Sequence, residues 1–212
     1  MGLPEVNYSK DEILWWEMIG RRMRRTWQSL QITKNEFDLR RYFNLLSAEN
    51  FGVVVEIGIN HGGSAAFFMD SLDMLGHEDV PFVGVDISPP TFLVHTHPYE
   101  IYIGGSTDNG VVEKVLRRIE EKKALFILDS DHCASHVYAE LHYYAAALVP
   151  GSVLVVEDTE LNGHPVVVNF GPGPWEAINR FLAENPTMFE PIPLEYGNYT
   201  TNPGGWLRRV GG

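Results

Sequence analysis

Short apolar runs, rich in β-branched residues and alternating with helical patterns, constrain this chain more than any other feature. Val53-Val54-Val55-Glu56-Ile57-Gly58 opens the series and stops at a glycine. Phe82-Val83-Gly84-Val85-Asp86-Ile87 is the second run and Ile101-Tyr102-Ile103 the third, followed by residues 124–129 and 152–158. Runs of this length without polar alternation read as parallel strands buried on both faces. Helical patterns cover residues 64–75, 111–122, 134–148 and 175–184, the third stopped by Pro150-Gly151. Weaker strand candidates lie at 189–195 and 206–210. The order implies an α/β, Rossmann-like fold: a doubly wound, mostly parallel central sheet of about seven strands flanked by helices. Ligands in such sheets sit at the carboxyl ends of the strands.

Residues 1–50 precede this pattern as an expected helical segment of the same domain, and residues 51–212 form the Rossmann-like region. Ser9 with Glu12 makes a capping box for a helix expected to run to about Trp27, with Ile13, Leu14, Met18 and Ile19 at helical spacing. A second helix is expected over 36–49.

Composition narrows the partners. A net charge of −12 repels phosphate backbones, so nucleic acid is excluded as a general partner. The cluster Arg21, Arg22, Arg24 and Arg25 fits a solvated helix face better than an anion site. A single cysteine, Cys133, excludes an intrachain disulfide and fits a reducing cytoplasm. The acidic start does not read as a signal peptide, and no apolar run approaches the roughly 20 residues of a membrane span.

The turn after the first strand, Glu56-Ile57-Gly58-Ile59-Asn60-His61-Gly62-Gly63-Ser64, is the first chemical signal. Its glycines allow a tight turn and close ligand approach, and the helix beyond offers free N–H groups. The spacing is not GxGxxG, and the acid at Glu56 would repel a pyrophosphate. A cofactor with a sulfonium, an amino group and a ribose suits it better, which points to S-adenosylmethionine over NAD. Asp86, ending the second strand, can accept the ribose hydroxyls, or cap the next turn through Ser88. Gly104-Gly105-Ser106-Thr107-Asp108 has the small residues that let an adenine approach, or serves as a helix cap.

The second signal is acidic. Asp129 ends the fourth strand, and Glu157 and Asp158 end the fifth. Neighbouring strands lie about 4.8 Å apart, so the three carboxylates should cluster. Their mutual repulsion is relieved by a divalent cation, and an all-oxygen set suits Mg²⁺, Mn²⁺ or Ca²⁺. Adjacent strand residues point to opposite faces, so Glu157 and Asp158 share a metal only if the strand ends or bends there. His132, three residues past Asp129, is a candidate general base, since histidine titrates near neutrality. A zinc pair of His132 and His136 is disfavoured because no further soft ligand is near in sequence. The segment 162–174 reads as a loop over the sheet end. It and a tail near 196–206 are expected to close over the cleft, with Phe170, Trp175, Tyr196, Tyr199 and Trp206 available to stack on a ring or to pack in the core.

In this order and spacing the residues resemble the cephalosporin hydroxylase family, S-adenosylmethionine-dependent O-methyltransferases similar to the metal-dependent macrolide-sugar O-methyltransferases. The likeness covers roughly residues 26–210: Trp27 through Lys34 to Asp38, then Glu56-Ile57-Gly58 with Gly62-Gly63-Ser64, Asp86, Gly105-Ser106-Thr107-Asp108, Asp129 with His132, Glu157-Asp158, and Asn202-Pro203-Gly204-Gly205-Trp206-Leu207. The resemblance implies a class I methyltransferase fold. It places Glu56, Gly58, Ser64 and Asp86 on the cofactor, with His61, Gly62, Gly63, Ser106 and Asp129 beside it. It places Mg²⁺ on Asp129, Glu157 and Asp158, and His132 as base toward the hydroxyl of a small sugar or natural-product acceptor. Family members often pair or tetramerise. Asp131 stands where members often have glycine, which adds a carboxylate to the site, and the short chain leaves the acceptor open. Two other readings stand beside this one: a metal-dependent hydroxylase or hydrolase, and a non-catalytic cofactor-binding protein on the same fold.

Overall fold

The computed structural model describes residues 9–10, 25–90, 94–194 and 199–211. From residue 25 the described chain forms a hairpin, β1 (Arg25–Trp27) and β2 (Leu30–Ile32), and helix α1 (Glu36–Ala48). Then follow β3 (Val53–Ile57), α2 (Gly63–Met74), β4 (Phe82–Asp86), β5 (Tyr99–Ile103), α3 (Asn109–Ile119) and β6 (Ala124–Leu128). The series ends with α4 (Ala134–Tyr144), β7 (Val153–Val156), α5 (Pro174–Glu184), β8 (Phe189–Pro191) and β9 (Trp206–Arg209). The expected helix ending near Trp27 is corrected at its end: Arg25–Trp27 is strand, and residues 11–24 lie outside the described residues.

The sheet order is β5-β4-β3-β6-β7-β9-β8. The first five strands run parallel, and β9 pairs antiparallel with both β7 and β8. This is the Rossmann-like, mostly parallel arrangement of about seven strands expected from the sequence. The strands β3, β6 and β7 are buried throughout, as their near-continuous apolar pattern, broken only by Glu56, requires of a sheet covered on both faces. Two apolar layers do the covering. Val53, Val55 and Ile57 share a layer with Val115 of α3, Leu141 of α4 and Phe181 of α5. Val54 faces the other layer, with Tyr42 and Leu46 of α1 and Phe68 and Leu72 of α2.

Register levels the strand ends. Ile57 pairs with Leu128, and Leu128 with Val156. Gly58, Asp129 and Glu157 therefore leave the sheet side by side. Chain order reverses around β3, so this edge is the switch point where α/β sheets bind ligands. Among the described residues no helix is long and apolar enough to cross a membrane.

Candidate active site

A cleft of about 610 Å³ opens at these strand ends, within the range of small-ligand sites. Gly58, Ser64, Asp86, Ser106, Asp129 and Asp158 line it, and Lys34, His132 and His136 complete its polar wall. Gly58 holds φ +91°, and a Cβ there would lie 2.0 Å from the Asp129 carbonyl oxygen. Only glycine lets β3 pass the β6 turn so closely. Gly63 serves packing: a Cβ there would lie 2.3 Å from the Gln31 carbonyl oxygen, so the glycine seats α2 against β2.

The pleat sorts the acids. By strand parity Glu56, Asp129 and Glu157 all fall on the side of Val54, Ile127 and Val155, which faces α1 and α2. Lys34, in the turn between β2 and α1, meets them there. Its Nζ lies 2.7 Å from Asp129 Oδ2, 2.7 Å from Glu157 Oε1 and 3.1 Å from Glu56 Oε1, with the lysine side chain only 2% exposed. Tyr42 donates to the same Glu157 oxygen at 2.5 Å. Burial draws the Lys34 ammonium down, but the charges of Asp129, Glu157 and Glu56 outweigh it and hold it well above the ordinary lysine range.

One ammonium does not balance this many acids. Burial pushes the Glu157 carboxyl up to about 7, helped by the Asp129 charge and opposed by Lys34. Burial likewise lifts Asp129 to about 6 against the pull of Lys34. Glu56 is raised by burial as well. It accepts from Ser64 Oγ at 2.9 Å through Oε2, while its buried Oε1 faces the Lys34 ammonium at 3.1 Å.

Asp158 goes elsewhere. The strand has ended, and the residue takes φ +55°, an uncommon conformation for a non-glycine and one that clusters at functional sites. Its N–H donates to Asn202 Oδ1 at 3.0 Å. Thr201, beside Asn202, donates from N and Oγ to the buried Asp38 of α1 at 2.8 and 3.0 Å, which ties the tail to the site. Asp158 Oδ2 then lies 3.0 Å from His132 Nε2. Among the described residues, Asp129, His132 and Asp158 form the one group with ligand atoms within 4.8 Å of one another. Two carboxylates and an imidazole, next to buried acids already forced toward their neutral forms, fit a divalent cation.

The expected residues thus separate. Asp129, Asp158 and His132 come together, while Glu157 faces Lys34 and Tyr42. Gly58, Ser64, Asp86 and Ser106 line the cleft with Glu56 beneath them. His61 is exposed, and His61, Gly62 and Gly63 do not line the cleft. Asp86 Oδ2 accepts from the N–H groups of Ile59 and Asn60 at 3.1 and 2.8 Å, and Oδ1 from that of Ser88 at 3.1 Å. It therefore caps its turn and still borders the cleft. His136 pairs with Glu140 at 3.2 Å and lies outside the metal-ligand group. Of the aromatic residues, Trp206 is core, Trp175 stacks on His164 at 4.7 Å and Tyr199 on Phe37 at 5.4 Å. Phe170 is exposed, and Tyr196 lies outside the described residues.

Lys34 had no role assigned from the sequence. The signal was available: a cluster of buried acids needs a cation, and a lysine between apolar Ile32 and helix α1 is a candidate.

Comparison with known proteins places the chain in a family. Residues 21–210 match the model of the family described as rhamnosyl O-methyltransferase/CmcI. The chain is 34% identical over 193 residues to the rhamnosyl O-methyltransferase of Mycobacterium tuberculosis (strain ATCC 25618 / H37Rv), covering 87% of this chain and 78% of that protein. It shares its fold with CmcI in an Mg-SAM structure, at TM-score 0.68 and 18% identity over 98% of this chain and 87% of that one. It also shares it with the MycE methyltransferase from the mycinamycin pathway, in complex with Mg, SAH and mycinamycin VI, at TM-score 0.50 and 19% identity over 69% of this chain and 40% of that one.

Proposed function

The chain belongs to the rhamnosyl O-methyltransferase/CmcI family, and on that premise we propose that the cleft transfers a methyl group from S-adenosylmethionine to a hydroxyl of a rhamnosyl or related sugar, assisted by Mg²⁺ or a similar divalent cation. The observation that carries the reading is the placement of Asp129, His132 and Asp158 together in the wall of the cleft that Gly58, Ser64 and Asp86 also line.

When bound, S-adenosylmethionine supplies a methyl on a sulfonium, and the cation polarises the acceptor hydroxyl. The chain's own residues do the rest. Gly58 lets the cofactor approach the backbone, and Asp86 offers its remaining acceptor capacity to the ribose. Asp129 and Asp158 would hold the cation, with the His132 imidazole in reach. Lys34 anchors Asp129 through Oδ2, which leaves Oδ1 for the cation. Asp158 orients the His132 ring through Nε2, so Nδ1 is left to take the hydroxyl proton. Much of the rate then comes from holding acceptor oxygen and methyl carbon in line.

The acceptor is small, not a nucleic acid, and the lone Cys133 supports a cytoplasmic setting. Association with a second copy follows family habit. The test is product analysis after incubation with S-adenosylmethionine, Mg²⁺ and a panel of rhamnosides, phenols and macrolide sugars. A rhamnoside one methylene heavier supports the proposal. Methylation confined to phenols would overturn the acceptor class.

A further inference from the structure

The cleft carries a second polar cluster that the methyl-transfer chemistry leaves unused, on the α3–α4 side of the strand ends. At its centre is Glu140 of α4, fully buried. Its Oε1 accepts from Ser106 Oγ at 2.5 Å and from Ser130 Oγ at 2.5 Å, and lies 3.2 Å from His136 Nε2. Its Oε2 is buried with no hydrogen-bond partner among the described residues. His136 Nε2 is also 3.0 Å from Ser106 Oγ. Tyr144 donates to the Ser106 carbonyl oxygen, which pins the backbone of that turn.

Ser106, Ser130 and His136 line the cleft, whereas Glu140 stands behind them. A serine hydroxyl has one proton and two lone pairs. With both protons committed to Glu140, the serines can offer the cleft only acceptors. Glu140 holds the His136 ring toward its charged form, chiefly through their hydrogen bond.

This inference rests on the S-adenosylmethionine reading. The methyl must sit near Asp129 and His132, and the ribose near Asp86, which leaves the Ser106–Ser130–His136 wall for the base. We propose that Glu140 fixes the hydrogen-bond polarity of this wall, so that Ser106 and Ser130 accept from the amino group of adenine and reject hypoxanthine. Glu140 is a positioning residue here. An oxo group facing two oriented oxygens leaves buried acceptors unmatched, and sites built around a specific donor discriminate strongly against its absence.

The experiment is calorimetric titration of the full chain with S-adenosylhomocysteine and with S-inosylhomocysteine. The expected wild-type result is binding of the inosyl compound about tenfold or more weaker. Glu140→Met removes the shared acceptor Oε1, so both serine hydroxyl protons are free to turn toward the cleft and the gap narrows to within about threefold. Ser106→Ala and Ser130→Ala keep the fold's apolar contacts and test the same wall: each lowers affinity for the adenosyl compound and spares the inosyl one. Equal affinity in the wild type, or an unchanged ratio in all three variants, overturns the inference and leaves the cofactor reading intact. Failure of the wild type to bind either compound overturns the cofactor reading itself, and the inference with it.

Discussion

Replacing Lys34 by methionine removes the ammonium that holds Asp129, Glu157 and Glu56 together while keeping most of its apolar stem. The lysine is 2% exposed, and two of its contacts are 2.7 Å. Removing one partner of a buried pair costs about 3–5 kcal/mol, because the other charge stays buried. The three acids soften that loss by taking up protons, since Glu157 already sits at about 7 and Asp129 at about 6. The destabilisation is therefore pH-dependent: near the full value at about pH 8, and smaller at about pH 5.5, where protons replace the missing cation. For a chain of this size about 1 kcal/mol moves Tm by roughly 2–4 °C, so the fall at about pH 8 is roughly 6–20 °C. Mg²⁺ should raise Tm more in the variant than in the wild type, because the variant site is one positive charge poorer. Differential scanning calorimetry at both pH values, with and without Mg²⁺, checks this. A drop of equal size at both pH values, or one under about 2 °C at about pH 8, would refute the reasoning.

Three further outcomes follow from the same geometry. Asp129 and Glu157 bind protons more tightly folded than unfolded, so their contribution to stability is present below about pH 4 and lost as pH rises through 6 to 7. Metal-free protein should weaken across that window in urea titrations, and Mg²⁺ binding should tighten across it with measurable proton release. Replacing His132 by alanine should lower kcat by about 10²–10⁴ while leaving S-adenosylhomocysteine affinity within about twofold, as fits loss of a general base; an unchanged kcat would remove it from the chemistry. Gly58→Ala places a Cβ 2.0 Å from the Asp129 carbonyl oxygen in a left-handed conformation. Both β3 and β6 must shift, and calorimetry should show cofactor binding weakened more than tenfold, a loss of about 1.4 kcal/mol or more.

The sheet was readable in the sequence because parallel strands buried on both faces are near-continuously apolar, as Ala124–Leu128 is and Val53–Ile57 is apart from Glu56. From the sequence alone, Glu157 is expected with Asp129 and Asp158 on one cation; the two-residue period sends Glu157 and Asp158 apart, and Asp158 reaches His132 only by leaving the strand at positive φ. The opening hairpin was hidden. Its strands have three residues each, and its turn is Gln28-Ser29 with φ 47° and 68°. Turns of that shape normally announce themselves with Asn-Gly or Asp-Gly. The partners of Lys34 and Glu140 were hidden for another reason. Each acts across a long sequence gap, Lys34 on Glu157 and Glu140 on Ser106, and no local periodicity reports such a contact. His61, Gly62 and Gly63 belong to the turn between two lining residues, Asn60 and Ser64, but are not themselves among the residues that line the cleft.

The central claim is metal-assisted methyl transfer at the Asp129–His132–Asp158 cluster. Its most direct test follows labelled methyl from S-adenosylmethionine to a rhamnoside in protein stripped with EDTA, then refilled with Mg²⁺, alongside Asp129→Asn and Asp158→Asn. The account predicts transfer that stops on chelation, returns with Mg²⁺ and fails in both variants. Transfer that persists in EDTA, or survives both substitutions, would contradict it.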